Sequence, residues 1–441
     1  MVIASIDIQN GRVVQLRQGA ELVLQRDNAG ELAEEFDRYG EVAVIDLDAA
    51  MGKGNNHGMI EPLLRKAECR VGGGVRSAAR AAELVSLGAR KIIVGSLAFC
   101  DPEKKGAGSG EYGLNRAFLE TLTEEIGRER LIIAVDARPR AGGDGRYEIY
   151  VNGWKTPTGL SLVETAQAAS VYASELLFTC VDREGTMTGI DMEPVKRLRD
   201  ACGDTCRITA AGGVSTREEI AALAALDCDV QLGMALYTGK ISLADAFTDS
   251  LDWKKCEEGS RGLMPLIAQS ADGQVLMTGY ADREAVSESF RRGKLCFHSR
   301  TRDKLWMKGE NSGNVLTLRR MRADCDRDAL LAVVENEGPA CHTGAWSCFG
   351  TNRRYTWELL QAIIAERFRN PSPGSYTATL DNELVREKVA EEAAELCGAK
   401  TRDEVTGEAA DLLYFATVLL TREGVSVQDV LDELDRRHKK K

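Results

Sequence analysis

VIASIDI, residues 2–8, is apolar except for Ser5 and Asp7, and seven comparable runs follow it before residue 250. They are VAVIDLDAA (42–50), RVGGGV (70–75), KIIVGSLAF (91–99), LIIAVDA (131–137), LLFTCVD (176–182), RITAAGGV (207–214) and DVQLGMAL (229–236). Each run is short and rich in β-branched residues, and stretches of helical period separate them. Eight such repeats predict a (β/α)8 TIM barrel over residues 1–253, with its active face at the carboxyl ends of the strands. Glycines mark those ends: Gly72, Gly73 and Gly74 with Gly95 and Ser96 in one half, Gly212 and Gly213 with Gly233 in the other. Glycine there lets backbone N–H groups approach phosphate. Two sets point to a substrate with a phosphate at each end, whereas one GGG alone reads equally well as a tight turn.

Working outward, the charged stretch Lys254–Gly262 breaks the pattern and reads as a linker. Residues 263–352 shift to a period of two, as in VLMTGY, KLCFHSR, NVLTLRRM and ALLAVVEN, which predicts a small, strand-rich α+β domain. Residues 353–441 carry apolar positions at helical spacing and predict an all-α helical domain. With 441 residues, more than one core is expected. The net charge of −11 argues against a nucleic acid polymer as partner, and no apolar run is long enough to span a membrane. The first apolar stretch contains Asp7 and follows no basic region, unlike a signal peptide, so a cytoplasmic location is expected. Of the 12 cysteines, Cys69, Cys180, Cys228 and Cys397 lie among apolar residues and read as small core side chains.

In DCDRD, Asp324, Asp326 and Asp328 alternate, so an extended backbone would put three carboxylates on one face, where a hard cation such as Mg2+ relieves their repulsion. The same alternation sends Cys325 to the opposite face. Together with Cys341 and Cys348 it offers three soft ligands for Zn2+, leaving a fourth position open. A closed structural zinc with His342 as fourth ligand fits the spacing too. A calcium loop fits less well, because its glycine and distal glutamate are missing.

At these positions the chain resembles phosphoribosyl-AMP cyclohydrolase of histidine biosynthesis, through FHSRTRDKLWMKGENSGN (297–314), DCDRDALL (324–331) and GPACHTGAWSCFG (338–350). The resemblance implies zinc on Cys325, Cys341 and Cys348, and Mg2+ on the three aspartates. It further implies proton transfer by His342, substrate contacts from Ser299, Arg300, Lys308, Glu310 and Ser312, and a homodimer whose subunits share the ligands. The implied reaction is hydrolytic opening of the adenine ring.

Glu392 and Glu395 lie three apart on one helical stretch, and Glu408 and Asp411 three apart on the next. One such pair is usually a solvated face. Two consecutive pairs suggest a metal site, and the apolar neighbours of Asp411 suggest that it is buried. With YTATL upstream, this end resembles phosphoribosyl-ATP pyrophosphatase, which implies removal of pyrophosphate from phosphoribosyl-ATP with Mg2+ on these four carboxylates.

The barrel resembles the isomerase that acts on phosphoribosylformimino-aminoimidazole carboxamide ribonucleotide, through IDIQNGRVVQLRQG, VIDLDAAMGKG, VGGGVRS, VDAR followed by NGW, and AAGGVS. The implied roles are Asp7 as general base of an Amadori rearrangement, with Asp136 and Thr179 in the site. The chain departs from the family at TCVDREGT: Cys180 replaces an aspartate, and Glu184 stands where the general acid is expected to be Asp. Gln15 and Met234 stand where arginines are expected. Two readings stay open, an active isomerase completing three consecutive steps on phosphoribosyl nucleotides, or a barrel that only assembles two hydrolases.

Overall fold

The computed structural model describes residues 1–99, 112–140, 145–350, 352–372 and 374–439. Eight parallel strands close on themselves: Val2–Gln9, Val42–Asp46, Cys69–Gly72, Lys91–Val94, Leu131–Pro139, Glu175–Cys180, Arg207–Ala211 and Asp229–Leu232. The closure pairs Val2 with Val230, while Asp136 lies beside Thr179 in the register of the fifth and sixth strands. Helices cover the outer face, so both faces of each strand are buried, which explains the nearly continuous apolar runs. Inside the barrel, Ile93, Ile132, Ala134, Leu177 and Ala211 form an apolar layer.

A second, charged layer fills the barrel interior. Arg70 and Glu175 are both 0% exposed and pair with each other, Arg70 also reaches Glu41, and Lys91 lies 2.9 Å from Glu175. Burial alone would raise the Glu41 carboxyl, but Arg70 and Lys91 hold it down at about 2. Two antiparallel hairpins, Arg12–Arg17 with Glu21–Arg26 and Tyr147–Val151 with Thr156–Ser161, extend from the barrel sheet.

The stretch read as a linker is mostly ordered helix, Trp253–Ser260, capped by Asp252. Trp253 is buried and donates from Nε1 to Thr248 O at 2.7 Å, so its indole anchors the helix to the end of the barrel. Strands Met264–Ser270, Val275–Ala281, Leu316–Ala323 and Leu330–Asn336 then form a four-stranded sheet, and Cys296–Ser299 pairs with Lys304–Met307. Helix Arg283–Arg292 packs on the barrel: Phe290 stacks on Tyr39 with ring centroids 4.2 Å apart and meets Phe247 edge-on. Arg320 bonds Asp37 and Glu68, and Met321 N donates to Arg38 O at 3.0 Å.

The chain divides into two compact units, residues 1–268 with 277–340, and residues 269–276 with 341–441. In the second, helices Trp357–Arg369, Asn382–Gly398, Arg402–Arg422 and Val427–Lys439 surround Ile364, Leu380, Val385, Phe415 and Val418. Thr401 and Glu404 form a reciprocal capping box that starts the longest helix. Among the described residues, no helix is long and apolar enough to cross a membrane. Eleven cysteines are described, none in a disulfide; Cys69, Cys180 and Cys228 are buried as expected, but Cys397 is exposed because it falls on the outward face of its helix.

Candidate active sites

The barrel strands end around a cavity of about 620 Å³. Asp7, Asp136, Thr179 and Glu184 line it, as do Gly73, Gly74, Gly95, Ser96, Gly212, Gly213 and Gly233. The two glycine sets do matching work. Gly73 has φ +95° and a Cβ there would lie 2.1 Å from Asp46 O; Gly212 has φ +95° and a Cβ there would lie 2.5 Å from Cys180 O. Any side chain would push the turn off the neighbouring strand in either half. Ser96 is engaged, accepting from Asn152 N at 2.8 Å, and Asn152 belongs to the loop that brings Trp154 into the cavity lining.

Burial raises all three carboxyls. Burial raises Asp7 to about 6, moderated by a 2.7 Å hydrogen bond from the Ser5 hydroxyl. Glu184 is raised further, to about 8, first by burial and then by the negative charges of Asp7 and Asp136. Asp136 is also raised by burial, and hydrogen bonds from Thr179 and Trp154 oppose the shift. Near neutral pH this leaves Asp7 mainly ionised and Glu184 mainly protonated. Cys180 faces the Tyr147 hydroxyl, which donates to Asp191 Oδ2 at 2.6 Å, and is 1% exposed. Asp182 points away toward Arg138 at 3.3 Å. Gln15 and Met234 are both buried, and Gln15 Nε2 finds no hydrogen-bond partner among the described residues.

DCDRD does not run extended. It is the turn joining Leu316–Ala323 to Leu330–Asn336, closed by Asp324 N to Ala329 O at 3.0 Å. The three carboxylates converge all the same, with one oxygen of each within 4.8 Å of the others, because the turn curls around them. Asp324 Oδ1 accepts from the backbone of Asp328 and Ala329. Lys255 Nζ, from the helix read as a linker, donates to Asp326 Oδ2 at 2.9 Å. Of the substrate-contact residues, Lys308 is buried, Ser299 is half-buried, and Arg300, Glu310 and Ser312 are exposed. The Arg300 guanidinium lies 3.9 Å over the Tyr280 ring. His298 was not singled out from the sequence, although it sits in the FHSRTRD motif: it bridges Asp282 at 2.6 Å and Asp303 at 3.1 Å.

In the second unit, the loop after residue 340 is tied to the 269–276 hairpin tip by Cys348 N to Leu276 O at 2.8 Å. The Cys341 thiol lies 3.1 Å from Thr343 Oγ1, whose hydrogen bond lowers the thiol below its usual range, with help from Cys348. A stabilised thiolate fits a soft metal. His342 is exposed, with Nδ1 3.9 Å from Cys341 Sγ. Cys325 belongs to the first unit.

Glu392, Glu395 and Glu408 also bring carboxylate oxygens within 4.8 Å of one another. Glu392, 8% exposed, is raised by burial and then by Glu395 and Asp411. Asp411 is exposed, contrary to the reading from its apolar neighbours: Leu412 is only half-buried and Leu413 is itself exposed, burial on this helix beginning at Phe415, and Asp411 lies near enough to Glu392 to raise its carboxyl. Such a converging acidic group is a fit for a hard cation.

A family model described as histidine biosynthesis protein matches residues 1–242. The chain belongs to that family. Models for phosphoribosyl-AMP cyclohydrolase and phosphoribosyl-ATP pyrophosphohydrolase match residues 277–350 and 358–438. A histidine biosynthesis bifunctional protein HisIE of Xanthomonas campestris is 43% identical over 198 residues, covering 43% of this chain and 94% of the relative. Proteins of the same name from Escherichia coli and Pyrococcus furiosus are 41% and 38% identical, with 95% and 97% of their lengths covered. The protein is thus a multifunctional enzyme of histidine biosynthesis, with cyclohydrolase and pyrophosphohydrolase domains behind a TIM barrel that fits an isomerase.

Proposed function

We propose that the protein carries out three consecutive reactions: pyrophosphate release from phosphoribosyl-ATP at the helical end, ring opening of phosphoribosyl-AMP in the centre, and Amadori isomerisation of the product in the barrel. The observation that carries the third step is the grouping of Asp7 and Glu184 in one cavity with their proton affinities pushed apart. That separation assigns roles. Glu184, holding its proton near neutral pH, gives it to the ribose ring oxygen and opens the aminoaldose; Asp7, ionised, removes the proton from C2, and the enol formed becomes the aminoketose. Asp136 and Thr179 orient the substrate between two glycine-lined phosphate cradles.

For the ring opening, Cys325, Cys341 and Cys348 would hold zinc, the first from one protomer of a homodimer and the others from its partner. Bound zinc supplies the Lewis acidity that makes water nucleophilic near neutral pH. His342 moves protons beside it, and Ser299, Arg300, Lys308, Glu310 and Ser312 hold the substrate. Asp324, Asp326 and Asp328 would hold Mg2+ against the substrate's phosphate, and Glu392, Glu395, Glu408 and Asp411 would hold Mg2+ against the departing pyrophosphate. The setting proposed for these reactions is the cytoplasm.

A second reading keeps the hydrolases and makes the barrel an assembly module. The uncharged, buried pair Gln15 and Met234 beside Gly233 favours it, since neither grips phosphate as arginine does. One assay separates the two. The full chain is supplied with phosphoribosyl-ATP, Mg2+ and Zn2+, and products are identified over time. Appearance of the aminoketose supports the isomerase; accumulation of the aminoaldose leaves only the assembly role.

A further inference from the structure

We propose that Lys255 is a positioning residue for the cyclohydrolase step: its ammonium offsets the Asp326 and Asp328 carboxylates of the Asp324–Asp328 turn and gives way to the divalent cation, so the segment joining barrel to cyclohydrolase sets the cation concentration that step requires. This rests on the reading of the turn as a Mg2+ site.

The geometry has two parts. First, Lys255 Nζ lies 2.9 Å from Asp326 Oδ2, 3.3 Å from Asp326 O and 3.9 Å from Asp328 Oδ2. Three carboxylates in one turn repel one another, and a compact ammonium beside two of them cancels part of that repulsion. Mg2+ takes its oxygens at about 2.0–2.1 Å, so a cation on Asp326 would face the ammonium at close range and repel it. The Lys255 side chain is 45% exposed and has room to swing into water. Ammonium and divalent ion therefore exchange at the same oxygens.

Second, Lys255 is held in register with the turn by the barrel. Arg327, between two of the aspartates, has φ +62°, a left-handed conformation that strains a residue with a Cβ. Its guanidinium is buried against the barrel, on the Asp227 carboxylate and on the carbonyls of Ala224 and Cys228 at 3.4 Å each. Its own carbonyl accepts from Asp252 N at 2.9 Å, and Asp252 caps the helix that carries Lys255. The barrel thus anchors both the turn and the helix. DCDRD alone has the aspartates; the cation beside them comes from outside the cyclohydrolase match at 277–350.

The test uses the full chain with Mn2+ as probe, free Mn2+ being read by electron paramagnetic resonance. The triple change of Asp324, Asp326 and Asp328 to Asn defines which class of bound ion belongs to the turn. Lys255→Gln is expected to tighten that class roughly five-fold, as loss of one partly exposed charge allows, and Lys255→Arg to leave it within two-fold. The Mg2+ concentration for half-maximal cyclohydrolase rate should fall with the Gln variant, with pyrophosphohydrolase unaffected. Weaker or unchanged Mn2+ binding in Lys255→Gln, with the ion class lost in the triple variant, overturns the role of Lys255 alone. Retention of every bound ion in the triple variant overturns the Mg2+ reading of the turn itself.

Discussion

Replacing Glu184 with glutamine probes the barrel most sharply, because the two carboxylates that would run the isomerisation are set about two pH units apart. The base must be ionised, so activity is lost as pH falls through about 6; the acid must be protonated, so activity is lost as pH rises through about 8. Treating the sites as independent, about 80% of the enzyme is competent at pH 7 and about 10% at pH 5 or pH 9. Glutamine cannot supply the proton, and the rate at pH 7 should fall by about 100- to 10,000-fold, the usual worth of a positioned acid. The alkaline limb should vanish from what remains. Both carboxyls are raised above their unfolded values, so ionising them opposes folding: their contribution to stability is full at acid pH and declines as pH rises through about 6 and then about 8. The assay is therefore conversion of purified aminoaldose to aminoketose from pH 5 to 9, well below the unfolding temperature. An alkaline limb of unchanged position in Glu184→Gln would show that another group is the acid.

Three further outcomes follow from the geometry. Glu175→Gln strips the buried Arg70 of its carboxylate inside the barrel and should cost about 3–5 kcal/mol, read by chemical denaturation; a loss under 1 kcal/mol would mean that Glu41 and water suffice. Gly212→Ala, where a Cβ meets the Cys180 carbonyl, should raise the aminoaldose KM or unfold the turn while leaving the hydrolases working, and an unchanged KM counts against a phosphate cradle there. Glu408→Gln removes one of three converging carboxylates and should raise the Mg2+ requirement of pyrophosphate release at least ten-fold without slowing ring opening, measured on each substrate separately.

Much of the molecule was legible in the chain. Buried parallel strands need apolar residues on both faces, so VIASIDI and its seven counterparts announced the barrel, and glycines at the strand ends announced where backbone must come close to a ligand. Residue type also carried the acidic pairs of the helical end, because spacing of three on a helix fixes a common face. Periodicity failed where a tight turn interrupted it. DCDRD was read as extended, and its carboxylates meet because a turn curls them together. Asp411 and Cys397 were placed by their apolar neighbours, but burial follows packing in space rather than neighbours along the chain, and both lie outside.

By itself, then, the sequence determined which elements form and which side chains carry the chemistry, since both depend on local pattern and residue type. Only the tertiary structure decided their electrostatics and their partners. Asp7 and Glu184 are 177 residues apart, and what separates their proton affinities is shared burial and mutual charge in one cavity, which no local pattern records. Lys255 reaches Asp326, and Arg327 reaches Asp227, for the same reason: Coulomb and hydrogen-bond energies depend on distance in space, and folding alone sets that distance.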